Sequence, residues 1–444
     1  MAIDEAGLAP EHAPPRTGWW AQLRPMLLRL HFFAGVLVGP FLLVAACTGL
    51  LYVFTPQLEQ LVYDRELHVP ASSAHQPLAA QVDVAERALP GAELKAVRPG
   101  PTATDTTQVI FHAPDLPSSY YRTAFVDPHT GELRGVLQTY GSGQALPLRT
   151  WFDQLHRNLH LGEPGRLYSE LAASWLWVVV LGGVALWLGR RRSRLAELVT
   201  PKLRPAGRQR VLSWHGSVGL CAALGLLFLS ATGLTWSTYA GANIGELRSA
   251  LSWETPAVPT DVPHLGGGDV GIDRAAATAE AHGLSGPLEI TPPGDGAYQV
   301  QEIGRSWPTQ QDAIAVHPAT GEITAALPFA DHPLMAKLSR WGIDAHMGLL
   351  FGWVNQLVLA AVALALICAV VWGYRMWWLR RPSRGFGRAP AGRPWSQVPA
   401  RILVPAAVLA LGLAWALPLF GIPLLVFLIA DTVAGAIAGQ AVRR

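Results

Sequence analysis

Charge is scarce in this chain. Only 15% of its 444 residues are Asp, Glu, Lys or Arg, while 50% are hydrophobic and 17 are Trp. With a mean hydropathy of +0.26, that balance excludes an ordinary soluble or disordered chain and leaves an integral membrane protein. Cysteine is almost absent. Cys47, Cys221 and Cys368 all fall in apolar runs, which excludes a disulfide framework and a Cys-x-x-Cys-His attachment and reads as small apolar helix residues. There is no Gly-x-Gly-x-x-Gly after a strand, no Walker loop and no flavin fingerprint, so the chain offers no recognisable nicotinamide or flavin site. The first apolar run starts late, is long and lacks a small-residue cleavage site, which excludes a cleavable signal peptide and leaves a retained span.

What is present is apolar length. Runs near 30–54, 171–189, 211–236 and 349–374 can cross a hydrocarbon core of about 30 Å. Two more, near 402–418 and 419–438, read as a C-terminal hairpin around Pro418 and Pro423. The segments 55–170 and 237–348 carry 14 Lys and Arg against 26 Asp and Glu; elsewhere, Asp431 apart, the count is 20 against 4. The cations of the short Arg190–Arg210 loop and of the Arg375–Arg384 cluster lie close to span ends and place that side in the cytoplasm. The net charge of +3 says nothing for nucleic acid, and no nucleic-acid partner is expected.

The same membrane unit is written twice. His31-x3-Gly35-x12-Thr48-Gly49-Leu50 recurs as His215-x3-Gly219-x12-Thr232-Gly233-Leu234, 184 residues on, and His156-x5-Gly162 recurs as His346-x5-Gly352, 190 residues on. The two charged segments repeat as well: Val126-Asp-Pro-His-Thr-Gly-Glu132 answers Val316-His-Pro-Ala-Thr-Gly-Glu322. Alternating flanks around Thr-Gly predict a β-hairpin in each, with an Ala-rich helix upstream over 77–88 and 272–282 and further strands near 106–112 and 297–303. The expected fold is therefore membrane α-helical: a duplicated four-span core with two inserted α+β modules and an extra C-terminal two-helix hairpin.

The expected order is a cytoplasmic segment over 1–29, a span over 30–54, module 1 over 55–155 and a second span with its lead-in over 156–190. A cytoplasmic loop over 191–210, a span over 211–236, module 2 over 237–345 and a span over 346–378 follow. A basic linker over 379–401 and the hairpin over 402–438 end the chain.

These motifs, together with Leu155-His156-Arg157-Asn158-Leu159-His160-Leu161-Gly162 and His346-x-Gly348-x3-Gly352, resemble the PepSY-associated transmembrane family over roughly residues 24–381. Within it the chain is similar to inner-membrane ferric-siderophore reductases of the FoxB type. The resemblance implies a multi-pass bacterial inner-membrane protein with cytoplasmic termini, two periplasmic PepSY-like modules, two non-covalent b-type haems and a ferric siderophore as electron acceptor. Residues after Arg388 lie outside it.

The histidines support that reading independently. His31 and His215 begin outward-running helices near the cytoplasmic face, and His156 and His346 begin inward-running helices near the periplasmic face, so each face receives one candidate haem-ligand pair, stacked across the membrane. His160 competes with His156, one helical turn away; the shared 190-residue offset favours His156. Gly35, Gly219, Gly162 and Gly352 suit close approach of a porphyrin edge, and the Thr48-Gly49 and Thr232-Gly233 pairs suit helix packing.

Trp151, Arg157, Arg340 and Trp341 are candidate substrate contacts by sequence proximity. Trp19, Trp20, Trp151, Trp236, Trp341, Trp377 and Trp378 read as an aromatic belt. The other histidines (His68, His75, His112, His129, His264, His282, His317 and His332) read as solvated loop residues. Asp431, the one acid read inside a span, suits a polar contact, a proton path or plain helix packing.

With no cofactor site of its own for hydride donors, the chain would draw electrons from a cytoplasmic flavoprotein, a reduced nicotinamide system or membrane quinol, with lipid as its standing partner. Two other readings compete. A periplasmic PepSY scaffold that binds or restrains a peptidase leaves four histidines unexplained, and a siderophore or iron transporter lacks broken helices at matched positions.

Overall fold

The computed structural model describes residues 18–190, 196–204, 206–263, 268–381 and 398–441. Most of the N-terminal segment, Arg191, Arg192 and Arg194 of the cytoplasmic loop, His264, residues 382–397 of the basic linker, Arg443 and Arg444 lie outside the described residues.

The chain opens with α1 (Trp19–Tyr52), α2 (Thr55–Val62), α3 (Asp64–Leu67) and α4 (Leu78–Ala88), followed by β1 (Leu94–Arg98), β2 (Thr107–His112), β3 (Tyr120–Val126) and β4 (Leu133–Tyr140). Then come α5 (Pro147–Asn158), α6 (Glu163–Leu188), α7 (Ala196–Val199), α8 (Gly207–Leu234), α9 (Tyr239–Ala250) and α10 (Ile272–His282). After β5 (Leu288–Thr291), β6 (Tyr298–Glu302), β7 (Ala313–Val316) and β8 (Ile323–Leu327), the chain ends in α11 (Leu334–His346), α12 (Gly352–Trp378), α13 (Ala400–Ala416) and α14 (Pro418–Ala441). Among the described residues, α1, α6, α8 and α12 are long and apolar enough to cross a membrane, with mean hydropathy of 1.9 to 2.5 in their central windows.

The contacts divide the chain into two compact units. The first contains the chain up to Pro40, Trp175–Ala223 and the residues from Cys368 onward; the second contains Phe41–Ser174 and Leu224–Ile367.

Within the first unit the C-terminal helices are anchored by polar and aromatic contacts. Trp175 Nε1 donates to the Leu419 carbonyl at 3.0 Å, Phe420 packs against Trp175 and Trp177, and Phe33 meets Phe427. Asp431 accepts from Arg29 Nε at 2.8 Å and from Arg29 Nη2, so its charge is compensated by a polar contact two residues before His31.

The second unit holds the sheet. Its eight strands run in the order β4-β3-β2-β1-β5-β6-β7-β8, every neighbour antiparallel. The sequence suggests two separate modules; instead their four-stranded halves share one sheet, joined where β1 meets β5 at Val97 and Ile290. Strands β1 and β5 are absent from the sequence reading, being four or five residues long and defined by each other.

The helices α4 and α10, expected over 77–88 and 272–282, lay Leu78, Val82, Ala85, Ile272, Ala275 and Ala279 on a core with Val97, Phe111, Ile290 and Val300. The N-terminus of α4 has no capping side chain of its own. Asp273, in the first turn of α10, accepts from Leu78 N at 2.7 Å and Ala79 N at 3.0 Å, satisfying two orphan donors and tying the halves together.

The two hairpins turn as expected, with Gly131 at φ +74 and Gly321 at φ +71. Histidines read as solvated are partly otherwise: His129, His317 and His332 are buried. Both ring nitrogens of His129 face carbonyls, Ala74 at 2.6 Å and Ala103 at 2.8 Å. Carbonyls only accept, so this ring donates twice as an imidazolium that pins the 74 and 103 segments to the turn.

Two span boundaries differ from expectation. His156 and His346 do not open spans; they lie on the separate amphipathic helices α5 and α11. Leu159 and His160 at φ +54 and +56 and Gly162 at φ +64 break the chain before α6; Gly348 at φ +77 and Gly352 at φ +55 do so before α12. Gly162 and Gly352 are therefore corner residues. Glu170 is a buried acid inside α6, just ahead of the apolar run near 171–189. Its two oxygens accept from Tyr239 N at 3.0 Å and Ala240 N at 2.8 Å, capping α9.

Candidate functional site

In the first unit His31 of α1 faces His215 of α8, ring centres 6.1 Å apart and planes 71° apart. His31 Nδ1 lies 3.0 Å from the Val179 carbonyl and His215 Nδ1 2.9 Å from the Ala369 carbonyl. Because a carbonyl has no proton to give, each Nδ1 carries the hydrogen and donates, which leaves each neutral ring with a bare Nε2.

Helical carbonyls are open to these rings for a local reason. Side chains on a helix lean toward its N-terminus, so the residue four positions on covers a given carbonyl. Four positions on from Val179 and Ala369 stand Gly183 and Gly373. A Cβ at Gly183 would meet His31 Cε1 at 3.0 Å, and one at Gly373 would meet His215 Cε1 at 3.8 Å.

In the second unit His156 of α5 and His346 of α11 are likewise held at Nδ1, by a different kind of acceptor. Their Nδ1 atoms lie 3.0 Å from Thr48 Oγ1 and 2.6 Å from Thr232 Oγ1. Each hydroxyl already donates backward along its helix, Thr48 to the Val44 carbonyl at 2.9 Å and Thr232 to the Phe228 carbonyl at 2.7 Å. The threonine oxygen is therefore left to accept, and Nδ1–H again donates while Nε2 stays bare.

The Thr-Gly pairs thus serve these rings directly: a Cβ at Gly49 would meet His156 Cε1 at 3.0 Å, and one at Gly233 would meet His346 Cε1 at 3.8 Å. Both rings lie outside the four long helices. Burial lowers His156 to about 4, with the Ala45 carbonyl opposing, and lowers His346 to about 3, with the nearby His156 adding to the effect. At neutral pH both imidazoles are neutral, the form that ligates metal.

Two metal–imidazole bonds of about 2 Å, with about 1.1 Å from each Nε2 to its ring centre, would set two ligating rings about 6.2 Å apart. The first pair matches that separation. Among the described residues no three His, Cys, Asp or Glu side chains converge as a metal site. Paired imidazoles with no third protein ligand suit a metal that brings its own equatorial donors, as in a porphyrin. Gly35 and Gly219, one turn beyond His31 and His215, face open space, consistent with room beside that pair.

Other candidates fare unevenly. His160 is not on the helical face of His156, because α5 ends at Asn158; it is exposed and stacks on Trp151 with ring centres 5.0 Å apart. Arg157 lies over the Tyr140 ring and 4.0 Å from Asp153. Arg340 is held by both oxygens of Asp344, at 2.8 and 2.6 Å, and Trp341 donates to Thr309 and packs on Trp307.

Trp236, read as part of the aromatic belt, also stands edge-on to His346 at 5.3 Å. Sequence reasoning missed Arg149, seven residues before His156, whose spacing places it on the histidine's helical face. Gly183 and Gly373 also went unread, though they share the 190-residue offset.

No curated protein matches the chain. The family described as the PepSY-associated TM region matches residues 28–380, a stretch that takes in both histidine pairs and the whole sheet, and the chain belongs to that family of multi-pass membrane proteins.

Proposed function

We propose that this protein is a di-haem b electron conduit of the bacterial inner membrane, in which His31 and His215 hold one haem, His156 and His346 hold the other, and ferric siderophores are reduced at the periplasmic side. The observation that carries this reading is the set of four bare Nε2 atoms, each fixed by a hydrogen bond at its own Nδ1. Non-covalently bound haem b would supply one-electron redox chemistry at each pair.

The chain's own groups do the positioning. The Val179 and Ala369 carbonyls and the Thr48 and Thr232 hydroxyls hold each ring in one tautomer and orientation and raise its basicity as a ligand. The apolar helices α1 and α8, which carry His31 and His215, would keep water from the first pair. The duplicated sequence would give the two sites complementary depths, with the sheet on the periplasmic side and the cationic loops and termini in the cytoplasm.

A flavoprotein, a reduced nicotinamide system or quinol would deliver the electrons. The acceptor follows from iron chemistry: Fe(III) prefers hard oxygen ligands and Fe(II) binds them far more weakly, so adding one electron loosens the chelate and releases Fe(II). The exposed Trp151 and the partly exposed Arg157 remain the proposed contacts for that chelate; Arg340 and Trp341 would line the same side.

The test is a visible spectrum of the full chain in detergent, oxidised and dithionite-reduced, with a pyridine haemochrome count on wild type, His31→Ala and His346→Ala. About two b haems per chain, with one lost in each variant, are expected, followed by reoxidation of the reduced protein by a ferric chelate. No haem in protein made with ample haem supply would overturn the reading.

A further inference from the structure

Two turns before His156 on α5 stands Arg149, buried to 8% exposure. Its Nε donates to the Tyr52 hydroxyl at 3.1 Å and its Nη1 lies 3.6 Å from Glu59 Oε2, but its Nη2 is buried with no hydrogen-bond partner. Leaving a guanidinium N–H unsatisfied in a buried site is unfavourable unless a ligand completes it.

Two acids stand near this charge. Glu59 is raised to about 6, by burial first with Arg149 opposing, and Asp153, one turn along α5, is raised by burial as well.

A second arginine points to the same place. Arg305, in the β6–β7 connection, has Nη1 4.0 Å from the sulfur of Met347, the residue after His346. Its nearest acid is Asp344, at 3.8 Å, but both Asp344 oxygens are already engaged by Arg340 at 2.6 and 2.8 Å. Arg305 is pulled down to about 10, by burial first and then by Arg340, with Arg149 and Arg98 adding to the effect and Asp344 opposing it. Arg98 is separately paired with Glu289 at 2.6 Å. Arg149, with a buried free N–H, and Arg305, which feels the Arg149 charge and shares an occupied acid, thus both stand on segments next to the second histidine pair.

We propose that Arg149 and Arg305 form a carboxylate-binding site beside His156 and His346. The forked guanidinium suits a planar carboxylate. Two sources offer that group: a propionate of the porphyrin held by this histidine pair, or a free carboxylate-bearing anion such as citrate. The first source rests on the function proposed above; the second does not.

The full chain carrying His31→Ala, which leaves only the second pair, is loaded in detergent with iron protoporphyrin IX or with its dimethyl ester, which lacks both carboxylates. Loss to apomyoglobin is then timed, and citrate binding to the loaded chain is measured by calorimetry. Variants are Arg305→Gln and the charge-balanced Arg149→Gln/Glu59→Gln, which keeps the site foldable if Arg149→Gln alone does not.

A propionate source predicts ester loss about tenfold to a hundredfold faster than acid loss, the scale of one charge-assisted hydrogen bond, with that difference gone in the variants. A free-anion source predicts equal loss of acid and ester, with citrate binding weakened at least about tenfold in the variants. Variants that change neither readout overturn the proposal. If the chain takes up no haem, the conduit reading fails on its own and citrate binding to the chain as isolated decides the site: weakening in the variants supports it, and no binding overturns it.

Discussion

The two histidine pairs reach the same electronic state by different means. In the first pair Nδ1 is satisfied by backbone carbonyls, which no substitution at Val179 or Ala369 can remove; in the second it is satisfied by side-chain hydroxyls, which a single mutation deletes. The first pair sits inside long apolar helices whose fourth-following glycines expose the carbonyls. The second sits at the ends of amphipathic helices, beside charged groups of the sheet-bearing unit. Backbone acceptors make a site rigid, and side-chain acceptors make it adjustable, so the second pair is where sequence change can tune ligand basicity without rebuilding a helix.

The largest effect should come from removing one of the histidines proposed as haem ligands. His215→Ala and His156→Ala are each expected to lower the haem count by one per chain, while His160→Ala leaves it unchanged, as read by pyridine haemochrome; loss with His160→Ala but not His156→Ala would exchange their roles.

Next, Thr232→Val and Thr48→Val leave a buried Nδ1–H unsatisfied, a penalty of about 1–3 kcal/mol, and should weaken haem retention at the second pair about 10- to 100-fold. The first pair's spectrum should not move. A shift at both pairs would erase the distinction between them.

Smaller is the contrast between repeats. Gly49→Ala and Gly183→Ala place a Cβ 3.0 Å from a histidine ring atom, whereas Gly233→Ala and Gly373→Ala place it at 3.8 Å. The first two should destabilise by about 1–3 kcal/mol and the latter two should be nearly silent in thermal unfolding. Equal effects would mean the repeats are packed alike.

The smallest effect is on pH dependence. Glu59 is raised from 4.5 to about 6 by burial, so its contribution to stability is full below 4.5 and is lost as pH rises through 6, at most about 2 kcal/mol. Glu59→Gln should flatten that part of the profile, measured as unfolding temperature between pH 4 and 7; an unchanged slope would place the titration elsewhere.

Much of this is legible in the sequence. The four apolar runs, the repeated His and Thr-Gly contexts, the Thr-Gly hairpins and the helices over 77–88 and 272–282 all follow from periodicity and turn chemistry, which are local. His160 misled because a spacing of four implies one helical face only while the helix continues, and left-handed Leu159 ends it. Strands β1 and β5 escaped because a short strand is specified by its partner, and Val97 finds Ile290 across 193 residues.

The amino-acid sequence by itself determined that this is a membrane chain with two internally repeated pairs of histidines, because hydropathy and repetition are written residue by residue. Only the tertiary structure decided that one sheet joins the two halves, that Thr48 and Thr232 face imidazoles, and that the carbonyls of Val179 and Ala369 receive the other two. Hydrogen-bond acceptors on the backbone have no side-chain signature, and a tautomer is chosen by whatever group stands opposite the ring in space.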